Sequence, residues 1–331
     1  MLAPRPFSPP VVVEPLDHVR PLLAIVGPTA AGKSALALAL AEETGGEILN
    51  YDSVQVYRGF EIGSGKVPPE ERRGIPHHLL DVVDPNQSFT AGDYRREAQQ
   101  VLVAMRARGR LPVLVGGTGL YLRSLLQGLS DSPPRSEGLR ARLRKMAARR
   151  GPRFLHRLLI RLDTTSALRI HPHDEQKLIR AIEVCLLSRQ PLSVMFSRGR
   201  AGLEGFRVFK LGLNPPWREL HERINRRVEE MYRRGLVEEV RVALGRPDSA
   251  LLKPLQALGY VQASAALRRD LSVEEAVHQT QTATRQYAKR QMTWFRREEG
   301  VTWLAGFGDD PEVQRQAVEW FRRNSGLAYP A

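Results

Sequence analysis

Gly27-Pro28-Thr29-Ala30-Ala31-Gly32-Lys33-Ser34 is the stretch that decides the fold. It fits G-x-x-x-x-G-K-[ST], a loop whose backbone N–H groups wrap phosphate oxygens while the lysine adds a point charge. The flanks supply the required context. Leu22-Leu23-Ala24-Ile25-Val26 is a short apolar run of buried-strand type, and Ser34 to Ala41 is built from Ala and Leu, which favour helix. Strand, glycine loop and helix in that order aim the helix N-terminus, with its unpaired N–H groups and positive dipole end, at a bound anion. A glycine turn that binds nothing is the plain alternative, and the flanks argue against it. The expectation is an α/β fold, a P-loop-type parallel sheet flanked by helices. Phosphate would be gripped by Gly27, Thr29, Ala30, Ala31, Gly32, Lys33 and Ser34.

Outward from the loop, Glu47 to Tyr51 reads as a second strand that ends at Asp52-Ser53-Val54-Gln55-Val56-Tyr57. A carboxylate at the C-terminal end of a strand beside a phosphate loop lies where open α/β sheets bind ligands. A turn or helix-capping Asp is the competing reading. Residues 58–76, with Gly63-Ser64-Gly65-Lys66 and Pro68, Pro69 and Pro76, read as a mobile loop. Lys66 is open between a second phosphate contact and a solvated lysine. His77 to Pro85 reads as a short strand, on which adjacent histidines point apart and so make a poor metal pair. A helix is expected from Thr90 to about Arg108, then a strand from Leu111 to Val115 ending in Gly116-Gly117-Thr118-Gly119. There the backbone can approach a ligand, and Thr118 offers a hydroxyl. This strand lacks the terminal Asp that holds magnesium in P-loop ATPases. Asp52, Asp81 and Asp84 remain alternatives, none in the usual setting, so the phosphate site need not run ATP chemistry.

The chain has 331 residues, room for two domains, and a net charge of +14. Between Pro134 and Arg200 stand 16 basic against five acidic side chains, so most of the excess sits in one stretch. A GC-rich genome explains a preference for Arg over Lys, but not this clustering, which is the footprint of a polyanion partner. A solvated basic face is the bland alternative. Strand-like runs stop here. Leu139, Leu143 and Met146 mark one helix, Phe154, Leu155, Leu158 and Leu159 a second, and Asp174 to Leu187 a third. On the third, Gln176, Lys177 and Arg180 form a polar stripe while Ile179, Ile182 and Leu186 face the core. The organisation expected is a disordered Pro-rich leader over 1–18, a catalytic core over 19–129 and 201–331, and an inserted helical domain over 130–200. Cys185 is the only cysteine, which excludes an internal disulfide and a multi-Cys zinc site and suits a reducing cytoplasm. No apolar run approaches a membrane span.

Farther on, Phe206 to Leu213 returns to a strand, and Trp217 to Arg234 is a long helix with Arg223 and Arg227 one turn apart. Ile224, Val228 and Met231 occupy another of its faces. Leu255 to Tyr260 reads as a helix start or a turn. Thr284 to Arg297 interleaves basic residues with Tyr287, Trp294 and Phe295, a mix suited to single-stranded RNA. A core role for Trp294 and Phe295 is the equal alternative. Val301 to Leu304 adds a late strand.

Eight blocks taken together carry a family resemblance: GPTAAGKS, DSVQVY, HHLLDVVDP, LVGGTGLYL, IHPHDEQKLIRAIEV, RINRRVEEMYRRGLVEEV, QALGY and RQYAKRQMTWFR. In this order, from about residue 22 to 304, the chain resembles the tRNA dimethylallyltransferases. The resemblance implies transfer of a dimethylallyl group from its diphosphate to N6 of adenosine 37 in tRNAs reading codons that begin with U. It also implies Mg2+, with Ser34 as a candidate ligand, and an inserted domain that grips the anticodon stem-loop. On this reading Thr29, Lys33 and Ser34 hold the diphosphate, and Arg223 and Arg227, or one of them, close on it. Asp52 takes the N6 proton and Thr118 orients the amine or the carboxylate. The tRNA falls to Asp52, Ser53, Val54, Gln55, Thr118, Arg140, Gln176, Lys177, Leu178, Ile179, Arg180, Lys289, Arg290 and Arg296, and a cytoplasmic monomer is expected. Departures are modest: Ala31 and Ser34 replace a common Ser and Thr, and Leu187 to Gln190 lacks the Gly that usually ends the third helix. The rivals are a small-molecule kinase, a transferase acting on free adenine nucleotides, and an RNA-binding ATPase switch.

Overall fold

From Leu22 to Val26 every residue of the first strand, β1 (Arg20–Val26), is buried. Successive side chains point to opposite faces, so both faces of the sheet are covered there, as a parallel sheet requires. The computed structural model describes residues 19–326 apart from Asp131, Pro152 and 198–200. The leader expected over 1–18 lies outside the described residues.

After β1 come α1 (Lys33–Thr44), β2 (Glu47–Asn50), β3 (His77–His78), α2 (Ala91–Ala107) and β4 (Pro112–Val115). Six helices follow: α3 (Gly119–Leu126), α4 (Glu137–Arg150), α5 (Phe154–Leu162), α6 (Thr164–Arg169), α7 (Glu175–Ser188) and α8 (Leu192–Ser197). The chain then returns through β5 (Phe206–Asn214), α9 (Trp217–Arg233), α10 (Leu236–Leu244), α11 (Tyr260–Leu267) and α12 (Val273–Phe295). It ends in β6 (Val301–Ala305) and α13 (Pro311–Ser325).

The six strands form one parallel sheet in the order β3-β2-β4-β1-β5-β6. Leu23 and Ile25 of β1, Leu36 and Leu40 of α1, Val113, Leu211 and Phe321 make its core. Because all strands run the same way, the loops after β1, β2, β4 and β6 gather at their carboxyl ends.

The described residues up to Phe89, with Glu97–Gly119 and those from Glu204 on, form one compact unit. Thr90–Arg96 and Leu120–Leu203 form the other. Tyr94 belongs with the second because its buried ring stacks on Tyr121 at 4.6 Å. That unit has its own core, with Leu143, Leu155, Leu159, Leu178, Ile179 and Ile182 at its centre.

Several expectations change. The strand expected over 77–85 is two residues long, since Leu79 and Asp81 adopt positive φ (59° and 55°) and leave the extended ladder. The stretch 58–76 is a loop as expected, with one short 3-10 turn at Pro69–Arg72, and within it Phe60 packs edge-on to Tyr260 while Lys66 is buried. The stretch from Thr284 read as basic and aromatic belongs to a longer helix that starts at Val273, where Ser272 and Glu275 make a reciprocal capping box. Leu186, assigned to the core, is 44% exposed. Without a Gly, α7 ends on Arg189 in the left-handed region at φ 55°. Among the described residues no helix is long and apolar enough to cross a membrane.

Candidate active site

The phosphate loop turns from β1 into α1 through Gly32, and a Cβ there would meet Gly308 N at 2.7 Å and Asp309 Oδ1 at 2.8 Å. Only glycine lets the turn after β6 lie this close. Ala30, at φ 63°, takes a conformation that Gly usually supplies. Lys33 Nζ donates to Pro28 O of its own loop at 2.7 Å, and Ser34 stands exposed on the first turn of α1. The loop is also held from α12: Thr29 N donates to Gln291 Oε1 at 2.7 Å.

Asp52 leaves the end of β2, where its Oδ1 accepts Val54 N at 2.9 Å and Gln55 N at 3.4 Å. Its own N–H donates to Asn50 Oδ1 at 3.1 Å. Thr118 Oγ1 accepts Ser53 N at 2.9 Å and donates to Ser53 Oγ at 3.0 Å, so the hydroxyl steadies the turn that carries Asp52. Gly117 O receives Gln291 Nε2 at 2.9 Å and the Tyr287 hydroxyl at 3.1 Å. Gln291 thus ties the phosphate loop to the turn after β4.

The alternatives left open for the carboxylates and Lys66 now resolve. Lys66 Nζ donates to Asp81 at 2.5 Å, Glu61 at 3.0 Å and Tyr57 O at 2.7 Å. Asp84 pairs with exposed Arg58. Asp81 and Asp84 are therefore engaged elsewhere, and of the three Asp52 is the one that borders the cavity at the loop.

Arg227 reaches the site from α9, and its Nη2 lies against Gly65, 1.9 Å from where a Cβ would be. Gln55 Nε2 donates to Ser64 O and Gly65 O at 3.1 and 3.2 Å, drawing the same turn inward. Glu239 of α10 anchors it from behind. Its carboxylate accepts the N–H groups of Glu61, Ile62 and Gly63 at 2.9, 2.8 and 3.3 Å and the Tyr260 hydroxyl at 2.6 Å. Arg223, one turn earlier on α9, pairs with Asp309 instead.

Arg227 and Asp52 are near enough to Lys33 to shift it, and Asp52 is near enough to Arg227 to act on it. Burial, then the neighbouring Arg227 charge, pushes Lys33 down to about 7, partly offset by Asp52. Burial also lowers Arg227, with Asp52 opposing. A bound diphosphate would favour the charged forms of Lys33 and Arg227 that burial disfavours. These groups border a cavity of about 350 Å3. Beside it, sharing Thr29, Asp52 and Arg227, is a second of about 340 Å3 lined by Val54, Ile224, Val228, Met231, Leu258 and Tyr287. A polar cradle and an apolar hollow thus share a wall.

The second unit distributes its predicted contacts unevenly. Leu178 and Ile179 are each 1% exposed, so the structure assigns their side chains to the core. Arg140 is buried, and both it and Arg180 turn to Glu183, at 3.6 and 2.7 Å. Glu183 is itself fully buried and needs those partners. Gln176 and Lys177 are exposed, Lys177 pairing with Asp174. The exposed charge of this unit includes Arg142, Arg144, Lys145, Arg149 and Arg150 along α4. In the first unit Lys289, Arg290 and Arg296 are exposed, whereas Phe295 is wholly buried.

Gln291, Glu239 and Asp309 were outside the sequence expectations. Gln291 left one trace: a polar residue on the apolar face that Ala288, Met292 and Phe295 give α12.

A parallel sheet with a glycine loop after β1 and polar groups gathered at its carboxyl ends defines a P-loop-type α/β protein. The profile of the IPP transferase family matches residues 55–298, and the chain belongs to that family. Over 299 residues it is 51% identical to the tRNA dimethylallyltransferase of Solibacter usitatus, covering 90% of this chain and 97% of the relative. The crystal structure of the tRNA isopentenylpyrophosphate transferase from Bacillus halodurans is similar with TM-score 0.68 and 35% identity, over 92% of this chain and 96% of that one. A eukaryotic dimethylallyltransferase captured acting on tRNA is similar with TM-score 0.80 and 26% identity, over 94% and 81%.

Proposed function

We propose that this protein transfers the dimethylallyl group of dimethylallyl diphosphate to N6 of adenosine 37 in tRNAs reading codons that begin with U, releasing pyrophosphate. The carrying observation is that Lys33, Arg227 and Asp52 border one cavity, and that Arg227 and Asp52 also line the apolar hollow beside it. The diphosphate lies on the loop formed by Gly27 to Ser34, where backbone N–H groups, Lys33 and Arg227 take up the charge that gathers as the C–O bond breaks. The hydrocarbon occupies the hollow, which excludes water from the allylic carbon. As the N6–C bond forms, Asp52 accepts the amine proton and passes it to solvent. Thr118 and Gln55 fix the turn that carries Asp52. The adenosine must leave its stack to arrive there.

Mg2+ fits the site through hard oxygens. Among the described residues no group of three His, Cys, Asp or Glu side chains could hold a metal, and the Ser34 hydroxyl, with phosphate oxygens and water, would hold the ion. When bound, the ion neutralises charge on the departing pyrophosphate. The exposed basic side chains of α4, with Gln176, Lys177, Lys289, Arg290 and Arg296, would meet the tRNA backbone, in a cytoplasmic monomer. Purified protein, dimethylallyl diphosphate and an anticodon stem-loop should yield a C5H8 gain at position 37 by mass spectrometry. A preference for AMP as acceptor, or transfer of a phosphoryl group from ATP, would overturn the proposal.

A further inference from the structure

Arg223 makes a two-pronged ion pair with Asp309, Nη1 to Oδ1 at 2.6 Å and Nη2 to Oδ2 at 2.5 Å. Its guanidinium also lies 4.1 Å from the centre of the Phe307 ring. A forked pair whose cation stacks on an aromatic face is more ordered than an ordinary surface ion pair. Asp309 belongs to the turn after β6, and that turn backs directly onto the phosphate loop. Gly308 N donates to Ala31 O at 2.9 Å, and Gln314 Nε2 of α13 holds Gly308 O at 2.9 Å. A Cβ on Gly32 would stand 2.8 Å from Asp309 Oδ1.

A carboxylate therefore sits against the loop at the start of α1, the place where N–H groups favour an anion. Unpaired, it would repel a diphosphate. Arg223 cancels that charge, with Glu219 of α9 the other charged group near it. Arg227 borders the cavity above the loop, whereas Arg223 is not among the residues around it. We propose that Arg223 is a positioning residue, not a ligand of the diphosphate. It pins the Asp309 turn under Gly32 and shields the loop from the Asp309 carboxylate. The inference rests on the reading of the loop as a diphosphate site. Its residues 307–309 lie beyond the 55–298 span matched by the family profile.

The test is calorimetric binding of inorganic pyrophosphate to the full chain, as wild type, Arg223→Ala, Asp309→Asn and the double variant. Arg223→Ala leaves a bare carboxylate at the loop and should weaken binding about tenfold, less at high salt. Asp309→Asn loses the clasp but also the repulsion, and should weaken it no more than about threefold. The double variant should return to the Asp309→Asn level, a rescue that a misfolded Arg223→Ala protein could not show. A double variant as weak as Arg223→Ala would make Arg223 a direct ligand and overturn the proposal, as would an unaffected Arg223→Ala. Wild type that fails to bind pyrophosphate overturns the phosphate site itself. Wild type that binds it, shows the rescue and transfers no dimethylallyl group overturns only the proposed reaction.

Discussion

Thr29 and Gln291, 262 residues apart in sequence, are joined by a 2.7 Å hydrogen bond from the Thr29 N–H to Gln291 Oε1. The other end of the same carboxamide donates to Gly117 O at 2.9 Å. One buried side chain therefore sets the spacing between the phosphate loop and the turn beside Asp52.

Gln291→Glu keeps the acceptor for Thr29 but turns a second acceptor toward Gly117 O and adds charge close to Asp52. Gln291→Met keeps the volume and loses both bonds. Gly117 O keeps the Tyr287 hydroxyl, but Thr29 N loses its acceptor, and an unsatisfied buried donor costs about 1–3 kcal/mol. Turnover should fall by about tenfold or more in both variants, with Glu the worse, measured as dimethylallyl transfer beside thermal melting. Equal turnover in Gln291→Met and wild type would remove the spacing role.

Lys33 predicts a pH dependence with a definite sign. In the free protein it titrates at about 7, because burial and Arg227 disfavour its charge. A bound diphosphate favours that charge and raises the value, so above pH 7 binding takes up a proton. Affinity for pyrophosphate should fall as pH rises from about 7, by up to about tenfold per unit. Folding runs the opposite way. The unfolded chain, with Lys near 10.4, binds more protons than the folded one in this window, so this group's contribution to stability rises with pH. Calorimetry in buffers of different protonation enthalpy reads the uptake directly, and Lys33→Met should abolish it.

Asp52 separates base from phosphate ligand. Asp52→Asn keeps an oxygen for Val54 N and Gln55 N, and removes a negative charge that opposes anion binding. Turnover should drop about 10²–10⁴-fold, while pyrophosphate binds no more weakly than to wild type. If affinity and turnover fell together, the carboxylate would be holding the loop and not the proton.

The features legible in the sequence are those enforced locally. The loop from Gly27 to Ser34 is read from its spacing, and Asp52 from its place just past a strand, because phosphate binding constrains neighbouring backbone groups. What escaped is tertiary. Gln291, Glu239 and Asp309 act on partners far away in sequence, and their meaning appears only once the parallel order of the strands is known. Charge counting located the basic stretch but could not tell Arg142, on the surface, from Arg140, buried against Glu183. The buried Glu183 three residues after Arg180 was the available sign. The strand expected beyond His78 failed because Leu79 and Asp81 take left-handed conformations that no glycine advertises.

Gly65 gives the sharpest test of Arg227. Gly59 and Gly65 both have positive φ, 72° and 63°, so Ala at either position incurs a similar backbone penalty. Their surroundings differ. A Cβ at Gly59 meets nothing within 4 Å, whereas at Gly65 it would stand 1.9 Å from Arg227 Nη2 and 3.1 Å from its Cζ. Gly65→Ala must therefore push the guanidinium off its seat, while Gly59→Ala pays the conformational cost alone. Both should melt slightly earlier than wild type, by comparable amounts. Only Gly65→Ala should lose pyrophosphate affinity, by about tenfold or more, as a charge-assisted contact is misplaced. Matched losses of affinity in the two variants would mean that backbone strain in this turn, and not the placement of Arg227, governs the grip.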